Sequence, residues 1–474
     1  MPDRLTSLDA SFLYLEHSTT AMHVGSVMVF EPPRAGFDLD QLVQIIEERI
    51  GAIPRFRQKV RDVPGRLANP VWVDDEHFDL SYHVRRAALP RPGTERQLQD
   101  FVSRVQPRRL DRRRPLWEVY LLEGLEGGRF ALVTKTHQAL IDGVHALDIA
   151  HVLVDAERDA RVPDRELGPW EPQRAPSSVE LVTGALVDVV RRPTQVVDLV
   201  RGGLNDALSV GRQAAESASA LLGTVARTAA RPAPGSPLNT AIGTARRWTL
   251  IATDLEDYRT VRAWLARGPY AEDVTVNDVI LATVAGGLRT WLLGRGEPVG
   301  RGSVVRAMVP VSVYGDDPTG MYANEVMACV VDLPVGEPSP SMRLHQIAFA
   351  MRQQMEAGQA VGASSLANLA GFAPPTLHAL GARLGSAMSR RLYNVMVTNV
   401  PGPQQPLYAG SARMVSTYPV TPLAKGQALA VGVTSYDGGV FYGLNADRDA
   451  MPDVDVLGQS IVDALAELTS GGEG

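Results

Sequence analysis

A chain of 474 residues is too long for one ordinary core, so two domains are expected, and the length is ample for an enzyme. With 45% hydrophobic and 21% charged residues, the composition is that of a folded globular protein, neither disordered nor membrane-spanning. The net charge of -6 argues against a nucleic-acid partner, because neutralising phosphates takes a clustered positive surplus.

Residues 1–30 lack a basic stretch followed by an apolar core, and a run of about 18 apolar residues occurs nowhere, so any contact with lipid is expected to be peripheral. Up to about residue 164, short strands alternate with helices. FALVTKT, Phe130 to Thr136, is a β-branched apolar run suited to a buried strand, and it ends where the polar HQALIDG begins. Gly143 to Val154 reads as a helix, with Val144, Leu147 and the Ala150/His151 pair at helical spacing. Between about 177 and 230 aromatic residues vanish and alanine, valine and leucine recur at three- and four-residue intervals, the pattern of a helical connector. Pro193, Gly202-Gly203 and the RPAPGSP run at 231–237 interrupt or end it. Such amphipathic helices suit a lipid surface or pack on the two domains, and the second reading is favoured.

From Arg246 onward a second strand and helix pattern appears. Thr275 to Leu293 is a helix with Thr275 as cap, and Ser303 to Val313, Glu325 to Val335 and Tyr393 to Val400 read as strands. Strands follow at Val415 to Thr421 and at Ala428 to Tyr436, the latter turning at Asp437-Gly438 into Val440 to Leu444. Asp453 to Leu468 closes as an amphipathic helix.

The segment KTHQALIDG, Lys135 to Gly143, resembles the HHxxxDG signature of acyl-CoA-dependent acyltransferases related to chloramphenicol acetyltransferase and to peptide-synthetase condensation domains. Other segments narrow the resemblance to the wax ester synthase/diacylglycerol acyltransferase family. They are SLDASFLYLE (Ser7 to Glu16), AMHVGSVMVFE (Ala21 to Glu31), PRFRQKV (Pro54 to Val60) and PLWE (Pro115 to Glu118). VNDVILA (Val276 to Ala282), VRAMVPVSV (Val305 to Val313), TNVPGP (Thr398 to Pro403) and YPVTPLAKGQAL (Tyr418 to Leu429) continue the family's order.

The resemblance implies an α/β fold of two chloramphenicol acetyltransferase-like domains, residues 1–175 and 238–474, joined by a helical connector at 176–237. The active site is then at their interface. The implied reaction moves a long-chain acyl group from acyl-CoA to diacylglycerol, giving triacylglycerol, or to a long-chain alcohol, giving a wax ester. Acyl-CoA is a co-substrate, with no permanently bound cofactor or metal. The expected location is cytoplasmic, or peripheral at an inner membrane or lipid inclusion.

A thioester is already activated, so such an enzyme mainly aligns an alcohol with its carbonyl, takes the hydroxyl proton and stabilises the oxyanion. In the family the base is the second histidine of the signature. Here that position is Gln138, while His137 matches the first histidine, and Asp142 and Gly143 complete the pattern as its structural frame. An amide has no useful protonation equilibrium near neutrality, and a lost base costs about 10²- to 10⁴-fold in rate. Three readings stay open. His137 takes over as base, which needs a twist because neighbours in an extended segment face opposite ways. Proximity and oxyanion stabilisation alone carry weak catalysis. Or the chain is a non-catalytic acyl-CoA or lipid-binding homologue, or an altered form of an active enzyme.

Asn277 and Asp278 match a family motif, yet Thr275-x-x-Asp278 has capping-box spacing, so a structural role that also affects site geometry is favoured. Pro115, Leu116 and Trp117 are read as a packing element that shapes the site. Asn399, Pro401 and Gly402 make a turn after a strand, at a family position that permits a backbone contact to an oxyanion or to CoA. His145 and His151, six apart on one helix, make a poor metal pair. The single Cys329 is read as a buried hydrophobe in a reducing compartment. Nucleophile-elbow, Walker and dinucleotide fingerprints are missing from the chain. Lysine occurs only at Lys59, Lys135 and Lys425, and the dominance of arginine is read as compositional bias.

Overall fold

The computed structural model describes residues 3–141, 149–160, 170–191, 232–265, 274–313, 325–356, 361–362 and 392–471. In chain order the strands are β1 (His23–Glu31), β2 (Gln58–Arg61), β3 (Val71–Asp74), β4 (Val84–Ala88), β5 (Trp117–Glu123), β6 (Phe130–His137), β7 (Arg246–Asp254) and β8 (Val305–Val313). They continue as β9 (Glu325–Leu333), β10 (Val361–Gly362), β11 (Val395–Pro401), β12 (Tyr408–Ala409), β13 (Ala412–Val420), β14 (Leu429–Tyr436) and β15 (Gly439–Asp447). The helices are α1 (Ser7–Leu15), α2 (Leu39–Ile50), α3 (Leu80–His83), α4 (Glu95–Val105), α5 (Gln138–Ile141) and α6 (Ile149–Leu153). Then come α7 (Ser178–Arg191), α8 (Leu255–Leu265), α9 (Val276–Gly294), α10 (Pro340–Glu356) and α11 (Val454–Ser470).

Two sheets organise these elements. The first has the order β12-β13-β1-β6-β5-β4 and the second β10-β9-β8-β11-β14-β15-β7. Strands β5 and β6 are buried along nearly their whole length, as central strands covered on both faces must be, and their sequences WEVYLLE and FALVTKTH carry little polar alternation. Strand β13 instead alternates buried and half-buried positions. Helix α9 is buried from Asp278 through Leu288 and belongs to the core of the second sheet, together with α8 and α11. Its start is the predicted one: Thr275 Oγ1 accepts from Asp278 N (3.2 Å), and Asp278 Oδ2 accepts from Thr275 N (2.8 Å). The β14–β15 hairpin turns through Asp437 and Gly438, both at positive φ (43° and 84°), as the Asp-Gly pair predicts. Cys329 is buried in β9.

The expected division at 237/238 does not divide the sheets. Residues 408–420 leave the C-terminal half and complete the first sheet, where β13 runs antiparallel to β1 with Val27 opposite Tyr418. Patterning marks where a strand lies and which face is apolar, but not the partner it chooses. This exchange joins the two cores: Trp248, Tyr436 and Phe441 of the second sheet belong to the apolar cluster of the first. At the junction β15 passes so close to β13 that a Cβ on Gly443 would lie 1.8 Å from Pro419 O, a position only glycine fits. Of the expected connector at 176–237, residues 176–191, which include α7, and 232–237 are described, and the rest lies outside the described residues.

Candidate active site

The signature segment sits where β6 ends and α5 begins. His137 N donates to Leu116 O (2.9 Å) and Gln138 N donates to Met22 O (2.8 Å), so the backbone is pinned from both sides. The result separates the two side chains. His137 is 1% exposed and Gln138 is half-buried. Ala139 N donates to His137 Nδ1 (3.0 Å), which makes Nδ1 the acceptor and leaves the ring proton on Nε2. That nitrogen faces Glu16 Oε1 at 3.9 Å. His23, opposite His137 in the β1–β6 register, stands edge-on to it with ring centroids 5.7 Å apart.

Glu16, just past the end of α1, is the hub of this cluster. Arg112 grips its Oε2 through Nη2 (2.7 Å) and Nε (3.2 Å), and also donates to Leu13 O (2.6 Å). The other carboxylate oxygen lies 3.3 Å from His23 Nε2, close in distance but poorly aligned for a hydrogen bond. Both nitrogens of His23 face oxygens, its Nδ1 lying 3.4 Å from Gln106 O. Burial would raise the Glu16 carboxyl, but contact with His23 and the fields of His137, His23 and Arg112 outweigh it and bring it down to about 2. Burial pushes His137 down to about 3, helped by His23, and it lowers His23 as well. Arg112 is the guanidinium in direct contact with the Glu16 carboxylate.

Neighbouring residues frame this cluster. Leu116 is fully buried and receives His137 through its carbonyl. Pro115 O accepts from Trp117 N (3.0 Å), closing a tight turn. Trp117 Nε1 donates to Phe56 O (2.8 Å), and its ring stacks on His83 with centroids 4.5 Å apart. His83 Nδ1 lies 2.8 Å from Trp117 O, and burial pushes its ring down to about 4. Two residues back along β6, Lys135 is buried, its Nζ donating to Val105 O (3.2 Å) and to Arg108 O and lying 3.9 Å from Glu118. Burial lowers this amine to about 8.

A second set of expected residues gathers at the second sheet. Asn399 Nδ2 donates to Asn277 Oδ1 (3.2 Å), tying the end of β11 to the start of α9, where Asp278 serves the cap. Pro401 pairs with Ser435 in the β11–β14 register, and Gly402 N donates to Ser435 O (2.9 Å). Asp142, Gly143 and His145 lie outside the described residues, and His151 is exposed. Sequence reasoning missed Glu16, His23 and Arg112. Two of them stand inside segments that carry the family pattern, but their meeting depends on strand register and on the return of the 107–114 loop, which no local pattern contains.

Two sheets joined by an exchanged strand, with a histidine-bearing strand end beside the exchange, define a fold shared with acyl-transferring and condensation domains. The first condensation domain of the CDA synthetase aligns with a TM-score of 0.57 at 16% identity, over 99% of this chain and 96% of that one. The wax ester synthase/diacylglycerol acyltransferase from Marinobacter aquaeolei VT8 aligns over 100% of both chains with a TM-score of 0.69 and 28% identity. The model of the wax ester synthase/diacylglycerol acyltransferase catalytic domain matches residues 5–280, and that of the WS/DGAT C-terminal domain matches residues 322–469. The chain belongs to this family. Among its relatives in Mycobacterium tuberculosis, the protein named probable diacylglycerol O-acyltransferase tgs3 is 46% identical over 264 residues, covering 56% of this chain and 96% of its own. The one named tgs2 is 32% identical over 482 residues, covering 98% of each.

Proposed function

We propose that the protein is an O-acyltransferase that moves a long-chain acyl group from acyl-CoA to diacylglycerol, or to a long-chain alcohol, with residues 1–175 and 238–474 supplying the two halves of the site. Support comes from family membership along the whole chain and from relatives named for this activity. The observation that carries the site assignment is the contrast between the half-buried Gln138 and the sealed, neutral His137. On this reading His137 orients the strand end and substrate meets position 138. The acceptor oxygen attacks the thioester carbonyl, a C–O bond forms and the C–S bond breaks. The hydroxyl proton ends on the departing CoA thiolate, whose conjugate thiol has a pKa of about 8.5. Gln138 can hydrogen-bond the acceptor hydroxyl without holding its proton, so rate rests on alignment and oxyanion stabilisation. Asp142 and Gly143 frame the loop, Pro115, Leu116 and Trp117 shape it, and the Asn277–Asn399 pair with Asp278, Pro401 and Gly402 forms the facing wall. Among the described residues no helix is long and apolar enough to cross a membrane, and the lipid acceptor is met by peripheral contact with a membrane or lipid inclusion.

The test is release of free CoA from palmitoyl-CoA with diacylglycerol or hexadecanol. Turnover should be slow and should rise about 10²- to 10⁴-fold in Gln138→His, which restores a base at an accessible position. A Gln138→His variant no faster than the parent, with its fold intact, sinks the assignment of position 138.

A further inference from the structure

We propose that the loop at residues 107–114 binds the phosphate groups of coenzyme A, with Arg108 and Arg109 as the contacting side chains; this rests on the acyl-CoA reading above. Five of the seven positions from 108 to 114 are arginine and one is aspartate, in a chain whose net charge is -6. A general arginine bias does not account for how these side chains are used. Arg112 is spent on Glu16. Arg113 turns back on Asp111, with Nε and Nη2 each 3.1 Å from a carboxylate oxygen. Arg114 lies over the Tyr82 ring, 4.2 Å from its centroid. Arg108 and Arg109 are exposed, and among the described residues neither pairs with a carboxylate.

The loop is built before any ligand arrives. Lys135 Nζ ties down the carbonyls of Val105 and Arg108, Arg108 N donates to Val105 O (3.2 Å), Leu110 is buried, and Arg114 N donates to Asp111 O (3.0 Å). Little backbone entropy is then lost on binding. Lys135 is rooted two residues from His137, about 7 Å along the strand, and the far end of the loop runs into Leu116, which holds His137 N. The loop is therefore anchored, at one end through Lys135 and at the other through Leu116, to the strand whose end carries position 138. Acyl-CoA has the matching shape: a thioester on one end of a flexible arm and three phosphates on the other. Guanidinium forks bind phosphate in bidentate geometry, which favours arginine over lysine at such a place.

The experiment compares the parent protein with R108A/R109A and R108K/R109K. Calorimetry reads binding of CoA, and kinetics read KM and kcat for palmitoyl-CoA and for palmitoyl N-acetylcysteamine, a thioester without phosphates. R108A/R109A should weaken CoA binding and raise KM for palmitoyl-CoA about tenfold, the scale of two exposed charge-assisted contacts. The value of kcat and all constants for the phosphate-free thioester should stay put, and R108K/R109K should recover part of the affinity. Unchanged CoA affinity in R108A/R109A overturns the proposal. So does loss of binding to phosphatidylglycerol vesicles with CoA affinity intact, which would assign the loop to lipid headgroups. CoA binding that depends on the two arginines in a protein without turnover keeps the loop assignment and sinks the catalytic reading; turnover indifferent to both does the reverse.

Discussion

Acid should destabilise this protein well above the pH at which ordinary carboxylates titrate. Burial holds His83 down to about 4 and His137 to about 3, and lowers His23 too. In the unfolded chain each returns to about 6.5. The folded state then binds fewer protons than the unfolded one, so this stability is whole above pH 6.5 and drains away as pH falls towards the folded values. At pH 5 each of His83 and His137 costs about 2 kcal/mol, roughly 4 together, and His23 adds in the same direction. That is a large share of the about 5–15 kcal/mol that holds a protein folded. Glu16, held at about 2, acts later, losing its stabilisation only between about pH 4.5 and 2. Urea unfolding at pH 7.5, 6.5, 5.5 and 5.0 measures the effect, with tryptophan fluorescence as the signal; Trp117, stacked on His83, is a local reporter. The midpoint should hold steady down to about pH 6.5 and then fall with a slope of two to three protons, and His83→Gln should remove one of them. A midpoint that is level or rises between pH 7 and 5 would refute the reasoning, because it would mean that the buried imidazoles are already charged in the fold.

Two further outcomes concern the framework. Gly443→Ala should destabilise by about 1–3 kcal/mol, since a methyl would collide with Pro419 O and backbone must move; a thermal midpoint within a degree of the parent would show that the sheet junction is slack. Arg112→Met strands the Glu16 carboxylate in the core and should cost about 2–3 kcal/mol, discounted because the guanidinium itself is 43% exposed. Glu16→Gln in the same chain should return most of that loss, so a double-mutant coupling below about 0.5 kcal/mol speaks against the pair.

What was legible in the sequence was what local chemistry decides. The β-branched run of β6, the Thr275–Asp278 box that starts α9 and the Asp437-Gly438 turn each contain their own instruction. The partner of β13 and the meeting of Glu16, His23, His137 and Arg112 contain none, because they depend on register between segments up to about a hundred or several hundred residues apart. The same limit governed the central ambiguity. Alternation along an extended segment says that His137 and Gln138 face different ways, but not which of them faces the core. The pairing of His23 with His137 across β1 and β6 decides it, by turning His137 into the cluster around Glu16 and leaving position 138 at the surface of the site. A glutamine at 138 therefore leaves the buried cluster and its hydrogen bonds untouched, while the main-chain bond to Met22 O is one any residue except proline could make. On the proposed assignment, folding and proton transfer are separable at this strand end, and a single change at 138 asks how much of the rate the surrounding geometry supplies.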